Sequence, residues 1–236
     1  MRITERLLSL VFPPVCASCK EPIAIGREDF LCEECRKRWN EEKNELCLKC
    51  GQPIYNCWCG VPGDKELNID FEGHLTQYKP GEDTVTRNLL YFCKQYRNKD
   101  TFKYLSQEMA NGLCHSTDEN TVITAIPRAK SKKRKIGHDQ SLEIAKGISD
   151  KLGIEYIDVL YHTGNKSQKT LTVMQREANA QKSYKIKSGC VPLIKGKNIL
   201  LVDDVITTGA TAIRCAKLLK SKGAKTVNMI CISKTV

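Results

Sequence analysis

Residues 200–211, with the sequence LLVDDVITTGAT, place two carboxylates and a loop of small residues directly after an apolar run. The run at 198–202 has the composition of a strand that is buried on both faces of a parallel sheet. The loop supplies hydroxyl groups and a glycine where a helix should begin, and backbone N–H groups at a helix start favour anions. The residues predicted to surround a phosphate are Thr207, Thr208, Gly209, Ala210 and Thr211.

Asp203 and Asp204 need a different role, because carboxylates repel phosphate. At the carboxyl end of a strand they can accept hydrogen bonds from sugar hydroxyls or help to hold a divalent cation. A ribose that carries a 5-phosphate meets both requirements. The alternative is an ordinary strand–helix turn whose acids cap the helix, but a single aspartate would be enough for that purpose.

Cysteine pairs near the N-terminus form the second group of side chains with evident chemistry. Eight of the 13 cysteines lie in residues 16–59, as three C-x-x-C pairs and one C-x-C pair. Such pairs suit structural zinc, whereas a disulfide framework would need an oxidising compartment and a secretion signal. One or two zinc sites are therefore predicted, and the spacing also permits cross-braced pairing. The simplest grouping is Cys16, Cys19, Cys32 and Cys35 in one site, and Cys47, Cys50, Cys57 and Cys59 in the other.

The five remaining cysteines are dispersed singly, mostly among apolar neighbours, and are predicted to be buried small hydrophobes. They are Cys93, Cys114, Cys190, Cys215 and Cys231.

Alternating helices and strands are expected to position the acidic loop. Apolar patterns predict helices at 87–96, 100–113, 141–152 (with Ser141 as its cap) and 211–222, and strands at 121–126, 155–160, 198–205 and 227–232. This alternation predicts an α/β domain with a parallel sheet, whose ligands bind at strand carboxyl ends near a topological switch point. Breakers at 60–64 divide the chain into a cysteine-rich zinc-binding module at 1–64 and the α/β domain at 65–236.

A basic loop follows the strand at 121–126, with six Lys or Arg residues in the eight positions 128–135. A solvated loop or a nucleic-acid patch would explain such a run. The sharper interpretation is that a cation near the strand, Arg128 or Lys130, meets the pyrophosphate of a ligand. The distal cations Lys132, Lys133, Arg134 and Lys135 are then expected to face outward, near nucleic acid.

Residues 203–211 resemble the motif by which type I phosphoribosyltransferases bind phosphoribosyl pyrophosphate (PRPP). The resemblance implies that Asp203 and Asp204 hold the ribose hydroxyls, that the loop wraps the 5-phosphate and that Mg²⁺ accompanies the pyrophosphate. Purine salvage members carry an aspartate at the first loop position. Thr207 stands there in this chain, so simple purine salvage is disfavoured.

The whole chain resembles the ComF family of competence and GntX-like proteins, in which a cysteine module precedes a type I phosphoribosyltransferase domain. The departures from the family pattern are Ile136, His138 and Asp139. The residues that carry the resemblance are Cys50 and Gly51, the segment LLYFCK at 89–94, then Gly137, Gln140 and Ser141, and finally Gln168, Leu171, Thr172, Arg176 and Asn179. The resemblance implies a type I phosphoribosyltransferase sheet and a role in DNA uptake or DNA processing.

Two classes of function follow from these patterns. The protein is either a Mg²⁺-dependent phosphoribosyltransferase that acts on PRPP, or a non-catalytic, PRPP-regulated zinc protein that binds single-stranded DNA or DNA-uptake proteins. The net charge of +11 suits phosphate-rich partners in both cases, and aromatic residues at 6% are few for a base-stacking platform. No apolar stretch is long enough to span a bilayer and no signal-peptide cleavage site is evident, so a cytoplasmic location is expected.

Overall fold

The computed structural model describes residues 13–23, 30–57, 68–95, 98–113, 117–129, 134, 137–163 and 183–235. The helices are α1 (Glu33–Lys43), α2 (Val85–Gln95), α3 (Lys99–Leu113), α4 (Gln140–Leu152) and α5 (Ala210–Ser221), with short 3₁₀ turns at Ile54–Asn56 and Val191–Leu193. The strands are β1 (Phe71–Tyr78), β2 (Thr121–Ala125), β3 (Leu160–His162), β4 (Tyr184–Ile186), β5 (Asn198–Ile206) and β6 (Thr226–Thr235). No helix among these described residues is both long enough and apolar enough to cross a membrane.

A parallel sheet in the order β1-β6-β5-β2 organises the molecule. Strands β2 and β5 are neighbours, but helix α4 leaves the end of β2 on one face and helix α5 leaves the end of β5 on the other. The carboxyl ends of these two strands therefore form a topological switch point, which is where ligands bind in open α/β sheets.

Each face of the sheet carries its own apolar core, because successive side chains of a strand point to opposite faces. On β5, Leu200 and Val202 pack with helices α2, α3 and α4, whereas Ile199 and Leu201 pack with helix α5. The interior of β5 is thus buried on both faces, as its continuous apolar run predicts. This double burial fixes the position of the acids at its end.

The core on the α2–α4 face continues without a break into the cysteine-rich N-terminal region. Cys16, Cys35 and Trp39 are buried in the same cluster as Leu89 and Ile144. Phe30 meets Tyr104 edge to face with ring centroids 4.8 Å apart, and Lys79 pairs with Glu45 at 2.8 Å. The N-terminal region and the sheet domain consequently share one packed interior.

The predicted positions of most helices and of the strands at 121–126, 198–205 and 227–232 are confirmed within a few residues. The predicted strand at 155–160 is wrong in extent, because its only link to the sheet is a parallel bridge between Tyr156 and Ile123. The chain then turns away into β3, which pairs antiparallel with β4. The sequence patterns also missed β1, β4 and α1.

The expectation that Ser141 caps helix α4 is wrong as well. The cap position belongs to Asp139, and Ser141 lies inside the first turn of the helix with its side chain directed elsewhere. Of the five dispersed cysteines, Cys93, Cys215 and Cys231 are buried as predicted, Cys190 is partly exposed and Cys114 lies outside the described residues.

Candidate functional site

The paired acids end strand β5 and are held by two neighbouring elements. Asp203 Oδ1 accepts a hydrogen bond from Ser141 Oγ at 2.7 Å and another from the backbone N–H of Asp204 at 2.9 Å. Asp204 is buried, and its Oδ2 pairs with the guanidinium of Arg128, which follows the end of β2. Groups from β2, β5 and α4 thus meet at the switch point.

The electrostatics of the acidic pair favour a partner that donates hydrogen bonds or carries positive charge. Burial and then the charge of Asp204 raise the pKa of the Asp203 carboxyl well above its ordinary value, although the hydrogen bond from Ser141 acts in the opposite direction. Arg128 compensates the charge of Asp204. Sugar hydroxyls that donate hydrogen bonds, or a bound cation, would stabilise the charged form of the Asp203 carboxyl.

The loop after β5, which was predicted to receive a phosphate, leads through a left-handed glycine into helix α5. Gly209 occupies the helix cap position of α5 with φ of 72°, a backbone conformation that glycine adopts readily. Gly209 has no side chain to cap the first turn of α5, and the N–H of Ala210 makes only a long contact of 3.5 Å with Thr208 Oγ1. Backbone N–H groups at such a helix start favour an anion. Thr207 and Thr208 are exposed, and Ala210 and Thr211 are partly exposed.

Tyr184 lies beside this loop and was missed by the sequence patterns. Burial raises its pKa to about 12, while a hydrogen bond with the Thr211 side chain acts against that increase. Its ring meets His162 edge to face with centroids 4.9 Å apart. No local pattern distinguishes Tyr184 in the sequence, because strand β4 is only three residues long.

The turn that precedes α4 adds Asp139 and His138 to the surroundings of the acids. Asp139 Oδ2 accepts a hydrogen bond from the backbone N–H of Arg128 at 3.4 Å, and Ser141, two residues after Asp139, donates to Asp203. His138 is buried against Phe102 and its Nε2 contacts the carbonyl oxygen of Cys93 at 2.8 Å. The sequence signal for this turn was its partial match to the family pattern, which did not reveal the contact between Ser141 and Asp203.

The first predicted cysteine group is assembled as a four-sulfur cluster. The Sγ atoms of Cys16, Cys19, Cys32 and Cys35 all lie within 4.8 Å of one another. The first pair comes from a tight turn, whereas Cys32 stands at the cap of helix α1 and Cys35 in its first turn. Backbone N–H groups of Cys32 and Cys35 donate to sulfur atoms at 3.4 Å.

The second group is assembled in part. The Sγ atoms of Cys47, Cys50 and Cys57 lie within 4.8 Å of one another, and Cys59 lies outside the described residues. The cysteines of the two groups are not interleaved, so the simple grouping rather than the cross-braced one is found among the described residues.

The sulfur geometry fits zinc and excludes disulfide bonds at these contacts. The Sγ atoms of Cys19 and Cys32 are 3.7 Å apart, and those of Cys50 and Cys57 are 3.6 Å apart. Ligands at about 2.3 Å from a tetrahedral zinc ion stand roughly 3.8 Å from one another, whereas a disulfide bond is about 2.05 Å long. The first cluster therefore has the four donors and the spacing of a structural zinc site, and the described residues of the second cluster supply three such donors.

Of the basic loop at 128–135, the structure describes residues 128, 129 and 134, and Arg128 is the cation that contacts the site. Of the more distal cations, Lys130, Lys132, Lys133 and Lys135 lie outside the described residues, while Arg134 is exposed. Residues 164–182, which contain the family-like Gln168, Arg176 and Asn179, also lie outside them.

Comparisons with known proteins find two domain families in this chain. Residues 7–66 match the double zinc ribbon domain family, and residues 138–234 match the phosphoribosyl transferase domain family. DNA utilization protein YhgH of Escherichia coli strain K12 is 24% identical over 236 residues, which cover 96% of this chain and 100% of that protein. Competence protein ComFC of Streptococcus pneumoniae is 26% identical over 216 residues, which cover 90% of this chain and 84% of that protein.

Among solved structures, the glutamine PRPP amidotransferase of B. subtilis has a TM-score of 0.41 and 20% identity, and the match covers 61% of this chain and 30% of that one. The two domain matches and the two relatives confirm the resemblance and the predicted fold class, an α/β phosphoribosyltransferase sheet preceded by a zinc-binding module.

Proposed function

We propose that this chain, a member of the ComF family, binds PRPP or ribose 5-phosphate at the end of strand β5. Asp203 and Asp204 would accept hydrogen bonds from the ribose hydroxyls, and residues 207–211 would receive the 5-phosphate. The observation that carries the proposal is the acidic pair at a switch point, directly before a loop that enters the N-terminus of helix α5 through the left-handed Gly209.

Arg128 has a double role in this proposal. In the structure it neutralises Asp204, and it lies on the side of the site from which the basic loop departs. When PRPP binds, Arg128 would turn part of its guanidinium towards the pyrophosphate. Mg²⁺ bound with PRPP would neutralise further phosphate charge, and the carboxylates of Asp203 and Asp204 are oxygen donors of the kind that this ion accepts.

The site supports transfer chemistry without identifying an acceptor. A nucleophile would attack the anomeric carbon of PRPP and expel pyrophosphate, while the protein contributes positioning and charge stabilisation. Incubation of labelled PRPP with cell extract tests this step. Pyrophosphate release that depends on one extract component would identify an enzyme, and its absence despite tight PRPP binding would favour a PRPP-regulated binding protein.

The second candidate function is the handling of single-stranded DNA. It is supported by the names of the two relatives, which refer to DNA utilization and competence, and by the net charge of +11. Each cation that contacts a single-strand phosphate adds about 0.7 to the slope of log affinity against log salt. Neutralising Lys132, Lys133, Arg134 and Lys135 should flatten that slope and leave ribose 5-phosphate binding intact.

For the cysteine-rich module we propose that residues 1–64 hold two zinc ions, one bound by Cys16, Cys19, Cys32 and Cys35, and the other by Cys47, Cys50, Cys57 and Cys59. Zinc at these positions would fix the turns and the start of helix α1. Thiolate ligands persist in a reducing compartment such as the cytoplasm, which is where we place the protein. Elemental analysis of protein purified under reducing conditions should find about two zinc ions per chain.

The PRPP proposal is tested by calorimetry with and without Mg²⁺. The double variant Asp203→Asn/Asp204→Asn should lose PRPP binding, and Thr211→Val should weaken both PRPP and ribose 5-phosphate because it alters the shared phosphate site. Unchanged PRPP affinity in the double variant would remove the ligand assignment.

A further inference from the structure

We propose that Glu42 and His138 are positioning residues that join the first cysteine site to the PRPP site through helix α2. Metal bound at Cys16, Cys19, Cys32 and Cys35 and sugar phosphate bound at Asp203 would then raise each other's affinity. This inference rests on the proposed PRPP site and goes beyond it, because nothing in PRPP binding itself requires the cysteine-rich module.

The N-terminus of α2 is completed by a residue of the cysteine-rich module. The carboxylate of Glu42, on helix α1, accepts hydrogen bonds from the backbone N–H of Val85 at 2.6 Å and from that of Thr86 at 2.9 Å, and from Thr86 Oγ1 at 2.7 Å. Thr84 Oγ1 accepts from the N–H of Arg87 at 3.1 Å. The first three N–H groups of α2 are thus satisfied, two of them by an acid placed favourably for the helix dipole.

Helix α1 transmits the state of the metal site to Glu42. The helix begins at the cluster, with Cys32 at its cap and Cys35 in its first turn, and Glu42 lies near its other end. Trp39, fully buried between these points, and Cys16 pack in the same core as Leu89 of α2. A loss of the metal would loosen the start of α1 and, with it, the alignment of Glu42.

The turn between the first two metal-binding cysteines also contacts α2 directly. Ser18 Oγ accepts a hydrogen bond from Asn88 Nδ2 at 3.3 Å, and Asn88 Nδ2 also donates to Asp83 Oδ1 at 2.9 Å. The carbonyl oxygen of Asp83 in turn accepts from the guanidinium of Arg38 at 2.6 Å. The start of α2 is therefore tied to both metal-binding segments of the module.

The C-terminus of α2 is held by a residue from the PRPP side. The carbonyl of Cys93 lies in the last turn, where carbonyls have no partner within the helix, and His138 Nε2 stands 2.8 Å from its oxygen. Because a carbonyl oxygen only accepts, Nε2 of His138 must carry the proton and donate. His138 also packs edge to face on Phe102 with a centroid separation of 5.5 Å.

The residues that follow His138 in the chain make hydrogen bonds to Arg128 and to Asp203. The next residue, Asp139, accepts the N–H of Arg128, and Ser141 two residues further donates to Asp203 at 2.7 Å. A displacement of α2 would shift the turn at 137–141 and misalign both Arg128 and Ser141. The two sites are consequently connected by one rigid helix that is fixed at each end by a residue from the neighbouring site.

Thermodynamic reciprocity makes this connection measurable. If bound metal improves ribose 5-phosphate affinity by a given factor, ribose 5-phosphate must improve metal affinity by the same factor. A factor of about 5 to 10 is expected, at the low end of the range for coupled sites. A merely structural role of Glu42 in folding would not make metal release depend on the sugar phosphate.

The test uses the full-length zinc-loaded protein with two readouts. Calorimetry gives the affinity for ribose 5-phosphate, and a chromogenic chelator gives the rate of zinc release with and without saturating ribose 5-phosphate. A Cys50→Ser background removes the second site, so that release reports the first one. The variants are Glu42→Ala, its exposed neighbour Glu41→Ala as the control, His138→Ala, and His138→Gln, which keeps an N–H donor for the Cys93 carbonyl.

The expected result is that ribose 5-phosphate slows zinc release about 5- to 10-fold in the parent and in Glu41→Ala, and by less than about twofold in Glu42→Ala and His138→Ala. His138→Gln should restore much of the effect. If the parent protein binds ribose 5-phosphate but releases zinc at the same rate with and without it, the coupling is overturned and the PRPP proposal stands. Absence of ribose 5-phosphate binding by the zinc-loaded parent overturns both.

Discussion

The two cysteine groups use the same local turn in opposite surroundings. In each, the residue after the second cysteine is left-handed, Lys20 with φ of 69° and Gly51 with φ of 68°, and donates its N–H to the carbonyl of the first cysteine. In the first group, Cys16 and Cys35 are buried in the shared core. In the second, Cys50 is exposed and Leu48 is fully exposed.

This difference shows that the contribution of a metal-binding turn to the stability of the fold depends on the residues that pack against it. Lys20 adopts a conformation that costs a non-glycine residue about 1–2 kcal/mol. Its ammonium group donates to the carbonyl of Ala17 at 3.0 Å and lies 4.4 Å from the centroid of the Phe92 ring, contacts that offset the cost. Gly51 has open space around it and makes no such demand. Two cysteines of the first group belong to the shared core, whereas those of the second group lie nearer the surface and it is their neighbours Ile54 and Tyr55 that pack into the molecule.

The largest expected effect separates the groups by stability. Cys35→Ser should lose one zinc ion and destabilise the whole chain by more than roughly 5 kcal/mol, because metal loss also opens the shared core. Cys50→Ser should also lose one zinc ion but reduce global stability by less than about 2 kcal/mol. Urea unfolding followed by tyrosine and tryptophan fluorescence, with zinc analysis, makes the measurement. Equal losses in the two variants would contradict the comparison.

The second largest loss of stability is expected at the acidic pair Asp203 and Asp204, which helix α2 connects to the first cysteine group. Asp204→Asn should destabilise the protein by about 3 kcal/mol, because it leaves the Arg128 guanidinium, whose side chain is only 17% exposed, without its carboxylate. Thermal melts at neutral pH measure this loss. The double variant Asp204→Asn/Arg128→Met removes both charges and should recover most of it, so a double variant that is no more stable than Asp204→Asn would argue against the ion pair as the cause.

Asp203→Asn should act in the opposite direction and stabilise the protein while abolishing ligand binding. The folded-state pKa of Asp203 is raised above 3.8 by burial and by the charge of Asp204. The wild-type protein therefore loses stability as pH rises from about 4 through that raised pKa. The asparagine variant avoids this loss, so its advantage in melting temperature should be larger at pH 7 than at pH 4.5. An advantage that is independent of pH would contradict the pKa argument.

The smallest effect concerns the turn residues themselves. Gly51→Ala has space for its methyl group and should cost about 1 kcal/mol from backbone strain alone. The cost should appear as faster zinc release from the second group and leave the global melting temperature within about 2 °C of wild type. A global loss of stability would mean that the second group is more deeply integrated than its exposure indicates.

The sequence predicted the parts of the molecule whose physics is local. The apolar run before Asp203, the glycine at 209 and the C-x-x-C pairs each determine a strand, a turn or a ligand pair through their own residues. Contacts between segments that are distant in the chain could not be predicted from the sequence. Nothing near Glu42 indicates that it caps a helix 43 residues later, and nothing near Ser141 indicates its bond to Asp203.

Short strands and edge positions explain the remaining differences. Strands β3 and β4 have three residues each, too few to show a period, and residues 155–159 have strand-like composition but leave the sheet after a single bridge. Strand β1 was missed because its burial does not alternate regularly along its length. These features depend on tertiary packing rather than on propensity.

Hydrogen exchange in the wild-type zinc-loaded protein tests most directly whether the first cysteine group and the sugar-phosphate site form one unit. Saturating ribose 5-phosphate should slow amide exchange at 203–212, where it binds, and also along α2 and along α1 next to the first group, with no change at 46–57 around the second group. Protection confined to 203–212, or equal protection around both cysteine groups, would contradict that account.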